Sequence, residues 1–268
     1  MTPNASASGD TDLVVVPRHH HPYLEPHATG GFIPFAHRGG TSEWPENTLP
    51  AFRHAVQLGY RYLETDVRLT SDGLLAAFHD DDLRRTAGRP GRISEMPWAE
   101  VSRILIDGRE PIPLLADLLE EFPDAMINID AKSDDTVEPL VALLRSMSAL
   151  DRVCVGSFSH RRLRRVRGAL GPAVCTSASP IEVLTWLSGR IPSGPSCFQV
   201  PVKQGPVTVT TGDRVERARR AGLPVHVWTV DHPQEMQELI DIGVHGIMTD
   251  QPAVLRSVCE HNSLWPTT

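Results

Sequence analysis

Eight short runs of β-branched or apolar residues, most of them separated by amphipathic stretches, narrow the folds open to this chain. The runs cover residues 32–36, 61–67, 126–131, 152–157, 172–176, 197–201, 224–230 and 245–249. Helical periodicity falls between several of them, at 48–58, 114–121, 136–148, 160–169, 214–221 and 234–242. Strands alternating with helices imply parallel βα units, and eight is the number that closes a ring. The expected fold is therefore α/β, a (β/α)8 TIM barrel, and 268 residues suit one such domain of about 250. Leu74 to His79 reads as an extra strand after an Asp72-Gly73 turn, a strong hairpin signal. Residues 68–79 are expected to form a hairpin excursion after strand 2, continued by 84–112. Residues 31–262 form the predicted single domain. Residues 1–30, rich in Pro, Ser, Gly and His, are expected to form a loosely ordered arm, with His19-His20-His21 as solvated tail.

A formal net charge of −7 argues against nucleic-acid binding, which needs a basic footprint. Cys154, Cys175, Cys197 and Cys259 show neither CxxC nor metal-ligand spacing, and read as free buried thiols in a reducing compartment. No run approaches the ~20 apolar residues of a membrane span, so a cytoplasmic protein with no stable membrane insertion is expected. Five arginines at 161, 162, 164, 165 and 167 follow Ser159, a plausible N-cap, and read as a solvated helix face.

Strand side chains alternate faces. Glu64 and Asp66 therefore share one face, with Leu63, Thr65 and Val67 on the other. By the same logic Asn128, Asp130 and Lys132 face inward while Ile127, Ile129 and Ala131 face out. Barrel sites lie at the C-terminal ends of strands. Three carboxylates gathered there, without sulfur, favour one hard divalent cation, Mg²⁺ or Ca²⁺. The competing reading is that Lys132 and Asp130 merely pair to satisfy Glu64 and Asp66.

That reading leaves His37, Arg38 and His79 unexplained. Arg38 offers a planar fork for two phosphate oxygens, and Lys132 a second positive charge. His37 and His79 could act as base and acid on opposite sides of a phosphorus atom. In 225–230, His226 and Trp228 face in, and Trp228 could wall a polyol or alcohol group; core filling is an equal reading. Asp250 ends the last strand, where it could bond neighbouring loops or meet the site.

The ordered set of these pieces resembles the glycerophosphodiester phosphodiesterase family across residues 34 to 255. The pieces are His37-Arg38-Gly39, Pro45-Glu46-Asn47-Thr48, Glu64-x-Asp66, Thr70-x-Asp72-Gly73, His79-Asp80, Ile112-Pro113-x-Leu115, Ser157-Phe158, Trp228-Thr229-Val230 and Gly246-Ile247-Met248-Thr249-Asp250. The resemblance implies cleavage of glycerophosphodiesters to glycerol 3-phosphate and an alcohol. It implies one cation held at Glu64, Asp66 and Asp130, with His37 and His79 as the acid/base pair. Arg38 and Lys132 would contact phosphate, and Glu46 would lie close to the site. Asp130 departs from the usual Glu, and His245 from the usual Asp of the last-strand motif; His245 is expected on a surface turn. The nucleophile is water or the neighbouring glycerol hydroxyl. Two alternatives stand beside this reading: lysophospholipase D-like cleavage of lipid head groups, and a non-catalytic phosphate-ligand-binding barrel. No exposed apolar loop is evident in the sequence, which favours water-soluble substrates. Oligomeric state is not legible.

Overall fold

The computed structural model describes residues 14–266. Eight parallel strands form the barrel: β1 Ile33–Ala36, β2 Tyr62–Leu69, β3 Met126–Ala131, β4 Val153–Gly156, β5 Cys175–Thr176, β6 Phe198–Pro201, β7 Val225–Trp228 and β8 Gly246–Thr249. Their hydrogen-bonded order is β5-β4-β3-β2-β1-β8-β7-β6. A parallel bridge between Ser177 and Cys197 joins the two ends and closes the ring.

A helix follows each strand: α1 Leu49–Gln57, α2 Leu115–Glu121, α3 Val137–Ser146, α4 His160–Leu170, α5 Pro180–Leu187, α6 Gly212–Arg220, α7 Pro233–Asp241 and α8 Pro252–His261. The sequence reading did not mark α5 or α8. Local chemistry starts these helices. Thr48 caps α1, its hydroxyl accepting from the Ala51 amide, and Ser159 caps α4 in the same way. Ser179 and Glu182 form a capping box at α5.

Outward strand residues such as Leu63, Val67, Ile127, Ile129, Val155, Val200 and Val227 join the inner faces of the helices in one core between ring and shell. Burying each of these side chains contributes about 1.5–3 kcal/mol.

The hairpin excursion is present. Leu75–Ala77 pairs antiparallel with β2, Val67 opposite Ala77. The rest of the excursion folds over its own small core of Phe78, Leu83, Ile93, Val101, Ile104, Ile106 and Ile112. This gives the loop carrying His79 and Arg85 a firm base.

The N-terminal segment differs from expectation. Residues 1–13 lie outside the described residues, but from Val15 onward the chain is fastened to the barrel floor rather than loose. Tyr23, Leu24 and His27 are fully buried, and His21 nearly so. Arg18 donates to the carbonyls of Pro192 and Pro195, and its amide to Gly222 O. Three apolar or aromatic anchors outweigh the polar composition that suggested a free tail. His245 also departs from its expected surface turn. It is fully buried beneath this segment, with Nδ1 accepting from the Val225 amide at 3.1 Å.

Candidate active site

At the C-terminal rim, one cavity of about 500 Å³ is lined by His37, Arg38, Glu64, Asp66, His79, Asp130, Lys132 and Trp228, among others. The expected inward set is thus brought together, with Glu46 attached through Arg38.

β1 ends in a tight turn that carries His37 and Arg38. Arg38 sits at φ 52, left-handed backbone that costs a side-chain-bearing residue energy. The conformation aims the Arg38 amide at Glu64 Oε2, 3.1 Å away. Gly39 follows at φ +85, and a Cβ there would stand 2.8 Å from that of Ala51. Only glycine allows the turn to lie so close to α1.

β2 and β3 run in register, Glu64 beside Asn128 and Asp66 beside Asp130. Lys132 Nζ stands between the two strands' acids, 2.7 Å from Asp66 Oδ1 and 2.6 Å from Asp130 Oδ2. Arg38 Nε is 3.1 Å from Asp66 Oδ2, and its Nη1 donates to Glu46 Oε1 at 3.0 Å. Burial pushes the Glu64 carboxyl up to about 7, with repulsion from Asp66 adding to it. Burial acts on Asp66 in the same sense, but Lys132, Arg38 and His79 outweigh it and hold Asp66 below the usual carboxylate range.

Each histidine is seated by a carboxylate. His37 Nδ1 donates to Asp250 Oδ1 at 2.8 Å, and its Nε2 lies 3.7 Å from Glu64 Oε2. His79 Nδ1 donates to Asp80 Oδ1 at 2.7 Å. In both rings this tautomer leaves Nε2 as the atom available for proton transfer. Burial lowers the pKa of both. At His37 the charges of Glu64 and Asp250 overcome it and the net shift is upward; at His79 burial prevails, Lys132 adds to it, and the net shift is downward.

Asp250 is thereby assigned to the site. Two further residues escaped the sequence reading. Asn47 gives its side-chain amide to Asp66 Oδ2 at 3.1 Å and takes the Thr65 hydroxyl at 2.8 Å. Arg85 bonds both Glu46 and Asp80. Asn47 lies inside the quoted Pro45-Glu46-Asn47-Thr48 motif and Arg85 five positions after Asp80 of His79-Asp80, which was the available signal.

The other half of the cavity is apolar. Phe158, Pro180, Val183, Leu184, Leu187, Val209 and Trp228 line it. Phe158 and Leu184 are each 64% exposed, and Ile181, one turn before Leu184 on α5, 57%. This corrects the expectation of no exposed apolar loop. The patch comes from α5, a helix the sequence reading did not mark, together with the loop after β4.

The donor set suits a hard cation. Glu64, Asp66 and Asp130 offer only oxygen, and Asp130 Oδ1 is buried with no hydrogen-bond partner. Their oxygens do not close to within 4.8 Å of one another as a set; Lys132 bonds Asp66 and Asp130, and Arg38 bonds Asp66.

A closed (β/α)8 barrel carrying two carboxylate-seated imidazoles and a buried acidic cluster at its rim has the equipment of a barrel enzyme acting on anionic esters. The chain belongs to the glycerophosphoryl diester phosphodiesterase family, whose model matches residues 37–254. It is 40% identical to the probable glycerophosphodiester phosphodiesterase 2 of Mycobacterium tuberculosis, over 88% of this chain and 94% of the relative. A human lysophospholipase D is 25% identical over 82% of this chain and 84% of its own. Among solved structures, an Oleispira antarctica phosphodiesterase in complex with the product sn-glycerol-3-phosphate superposes with a TM-score of 0.73. It is 24% identical and covers 85% of this chain and 96% of that one. Among the described residues no helix is long and apolar enough to cross a membrane.

Proposed function

We propose that the chain hydrolyses glycerophosphodiesters to glycerol 3-phosphate and an alcohol. The carrying observation is that His37 and His79, each oriented by its own carboxylate, open onto one cavity that also holds Arg38, Lys132 and three acids. One imidazole Nε2 takes the proton of the attacking hydroxyl while the other protonates the departing alcohol oxygen; attack by water gives glycerol 3-phosphate directly, and attack by the neighbouring glycerol hydroxyl gives a cyclic phosphate that water then opens. Arg38 and Lys132 stabilise charge on the phosphoryl oxygens. Glu64, Asp66 and Asp130 would hold one divalent cation, Mg²⁺ or Ca²⁺, which when bound supplies Lewis-acid stabilisation of that charge. Trp228 closes the cavity beside the glycerol or alcohol group. Glu46 keeps Arg38 aligned.

The apolar wall supports a second reading within the same chemistry: a leaving group or glycerol ester with an aliphatic chain, as in lysophospholipase D-like cleavage. Phe158, Leu184 and Ile181 would take that chain. One comparison tests both readings, product release from glycerophosphocholine, glycerophosphoethanolamine and glycerophosphoglycerol against micellar lysophosphatidylcholine. Glycerol 3-phosphate from the soluble diesters supports the main reading, and preference for the lysolipid supports the second. Binding without turnover of any would leave a phosphate-ligand-binding barrel.

A further inference from the structure

At the opposite end of the barrel three strands deliver sulfur to one point. Cys154 on β4, Cys175 on β5 and Cys197 just before β6 are all free and fully buried. Among the described residues they are the one trio of His, Cys, Asp or Glu side chains whose ligand atoms lie within 4.8 Å of one another. Cys154 Sγ and Cys197 Sγ are 3.9 Å apart. Two thiolates on one zinc ion, each bonded at about 2.3 Å in a tetrahedron, stand about 3.8 Å apart. That pair is therefore already spaced for a shared ion, and Cys175 Sγ lies within 4.8 Å of both.

Cysteines alone would be ordinary small core residues. A second observation separates this cluster from core filling: polar groups lie next to it unsatisfied. The N-terminal segment covers the thiols with His21, which is more than nine-tenths buried and whose Nε2 has no hydrogen-bond partner. The Tyr23 hydroxyl is likewise buried and unpartnered. Tyr23 and Leu24 of the same segment pack with the three cysteines in one buried cluster. A thiolate is the form that binds metal.

The geometry points to a soft-cation site, with Cys154, Cys175 and Cys197 as thiolate ligands and His21 Nε2, which swings in from outside the 4.8 Å sulfur cluster, as the fourth, fit for Zn²⁺ or its thiophilic analogue Cd²⁺. Binding releases the thiol protons to solvent. His21 Nδ1 now accepts from the Tyr23 amide at 3.2 Å. Ligation places the ring proton on Nδ1, so that contact opens. The site is chemically distinct from the oxygen-lined rim, and its role is to fasten the N-terminal segment to three strands. It takes no part in the phosphodiester chemistry.

The test uses the full chain, reduced, unfolded and refolded with one equivalent of Cd²⁺. Its readout is the ultraviolet thiolate-to-cadmium charge-transfer band, which oxygen ligands do not give. The wild type and Cys259→Ser should show the band at one ion per chain. Cys154→Ser and Cys197→Ser should lose it, and His21→Ala should weaken affinity about 10-fold or more. Should the serine variants not fold, alkylation rates of the wild type in mild denaturant decide, since all four thiols are buried in the folded chain. With Cd²⁺ the other three thiols should react more slowly than without it while Cys259 is unaffected; four thiols reacting at the same rates with and without the ion overturns the site. No band in the wild type, or a band unchanged in Cys154→Ser, also overturns it, and His21→Ala binding as tightly as wild type removes the fourth ligand. Activity at the rim is a separate readout, so either assignment can fail without the other.

Discussion

Arg85 holds Glu46 by a two-pronged contact, Nη1 to Oε2 and Nη2 to Oε1, both 2.7 Å. Its Nε turns to Asp80 Oδ2 at 2.7 Å. One guanidinium on the excursion thus joins the carboxylate that aligns Arg38 to the carboxylate that seats His79. Planar, bidentate contacts of this kind fix direction as well as distance.

Replacing Arg85 by Lys keeps the charge but removes the fork. The expected result is a kcat lower by about 10–100-fold, the cost of misplacing reacting groups by a fraction of a bond length. KM should change little and the melting temperature should hold, because Arg85 is half exposed. Steady-state kinetics with glycerophosphocholine check this, and a change confined to KM would contradict it.

In the proposed mechanism the two imidazoles carry the proton transfers. His37→Ala and His79→Ala should each lower kcat by about 10²–10⁴-fold. Asp250→Asn should lower it less while leaving the fold intact, since an amide neither fixes the donor tautomer nor stabilises the charged ring. Near wild-type turnover in either alanine variant would remove that histidine from the mechanism.

Much of this arrangement was legible because it follows from strand alternation. Glu64 and Asp66 had to share a face, and Asp130 followed once β3 was placed beside β2. The missed elements are through-space relationships. Cys154, Cys175 and Cys197 sit 21 and 22 positions apart in sequence, and only ring closure brings them together. His245 reads as a turn residue because nothing local shows that residues 14–30 cover it. The apolar rim was missed with α5, whose Pro180 start breaks the periodic pattern although Ser179 and Glu182 announce a cap. Asn47 was inside a quoted motif and Arg85 just beyond His79-Asp80, but most of their partners lie on other elements.

Gly39 tests the backbone of the site. Gly39→Ala forces a Cβ to within 2.9 Å of the Phe52 amide nitrogen at a positive φ. Strain and displacement of the β1 turn should cost about 1–3 kcal/mol. Chemical denaturation should show the loss of stability, and activity should fall because His37 and Arg38 ride on the same turn. An unchanged midpoint would contradict the assigned geometry.

Acid should weaken the barrel floor. His27 Nε2 and His226 Nε2 are 2.9 Å apart, and His27 and His245 rings touch edge to face. Burial lowers His27 to about 4 and His245 to about 3, with His27 adding to the latter, and holds His226 well below its usual value, with His27 and His245 adding to it. The charged groups facing the cluster are Arg219, which lowers His245 further, and Glu216, which opposes it. These folded pKa values lie below the unfolded value near 6.5, so the unfolded chain binds more protons between the two. The stability is fully present above about pH 6.5 and is lost as pH falls toward about 4, at up to about 1.4 kcal/mol per pH unit for each histidine. Melting temperatures from pH 7.5 to 5 check this. A flat profile would contradict it, and His226→Leu should flatten the slope.

The central claim is that acids of β2 and β3 hold a divalent cation beside two paired imidazoles. Its most direct measurement is glycerol 3-phosphate release from glycerophosphocholine after EDTA treatment, with Mg²⁺ or Ca²⁺ then titrated back. The account predicts turnover abolished by EDTA and restored by one of the two ions, with Asp130→Asn shifting restoration to higher ion concentration. Full turnover in EDTA, or restoration unaffected by Asp130→Asn, would contradict it.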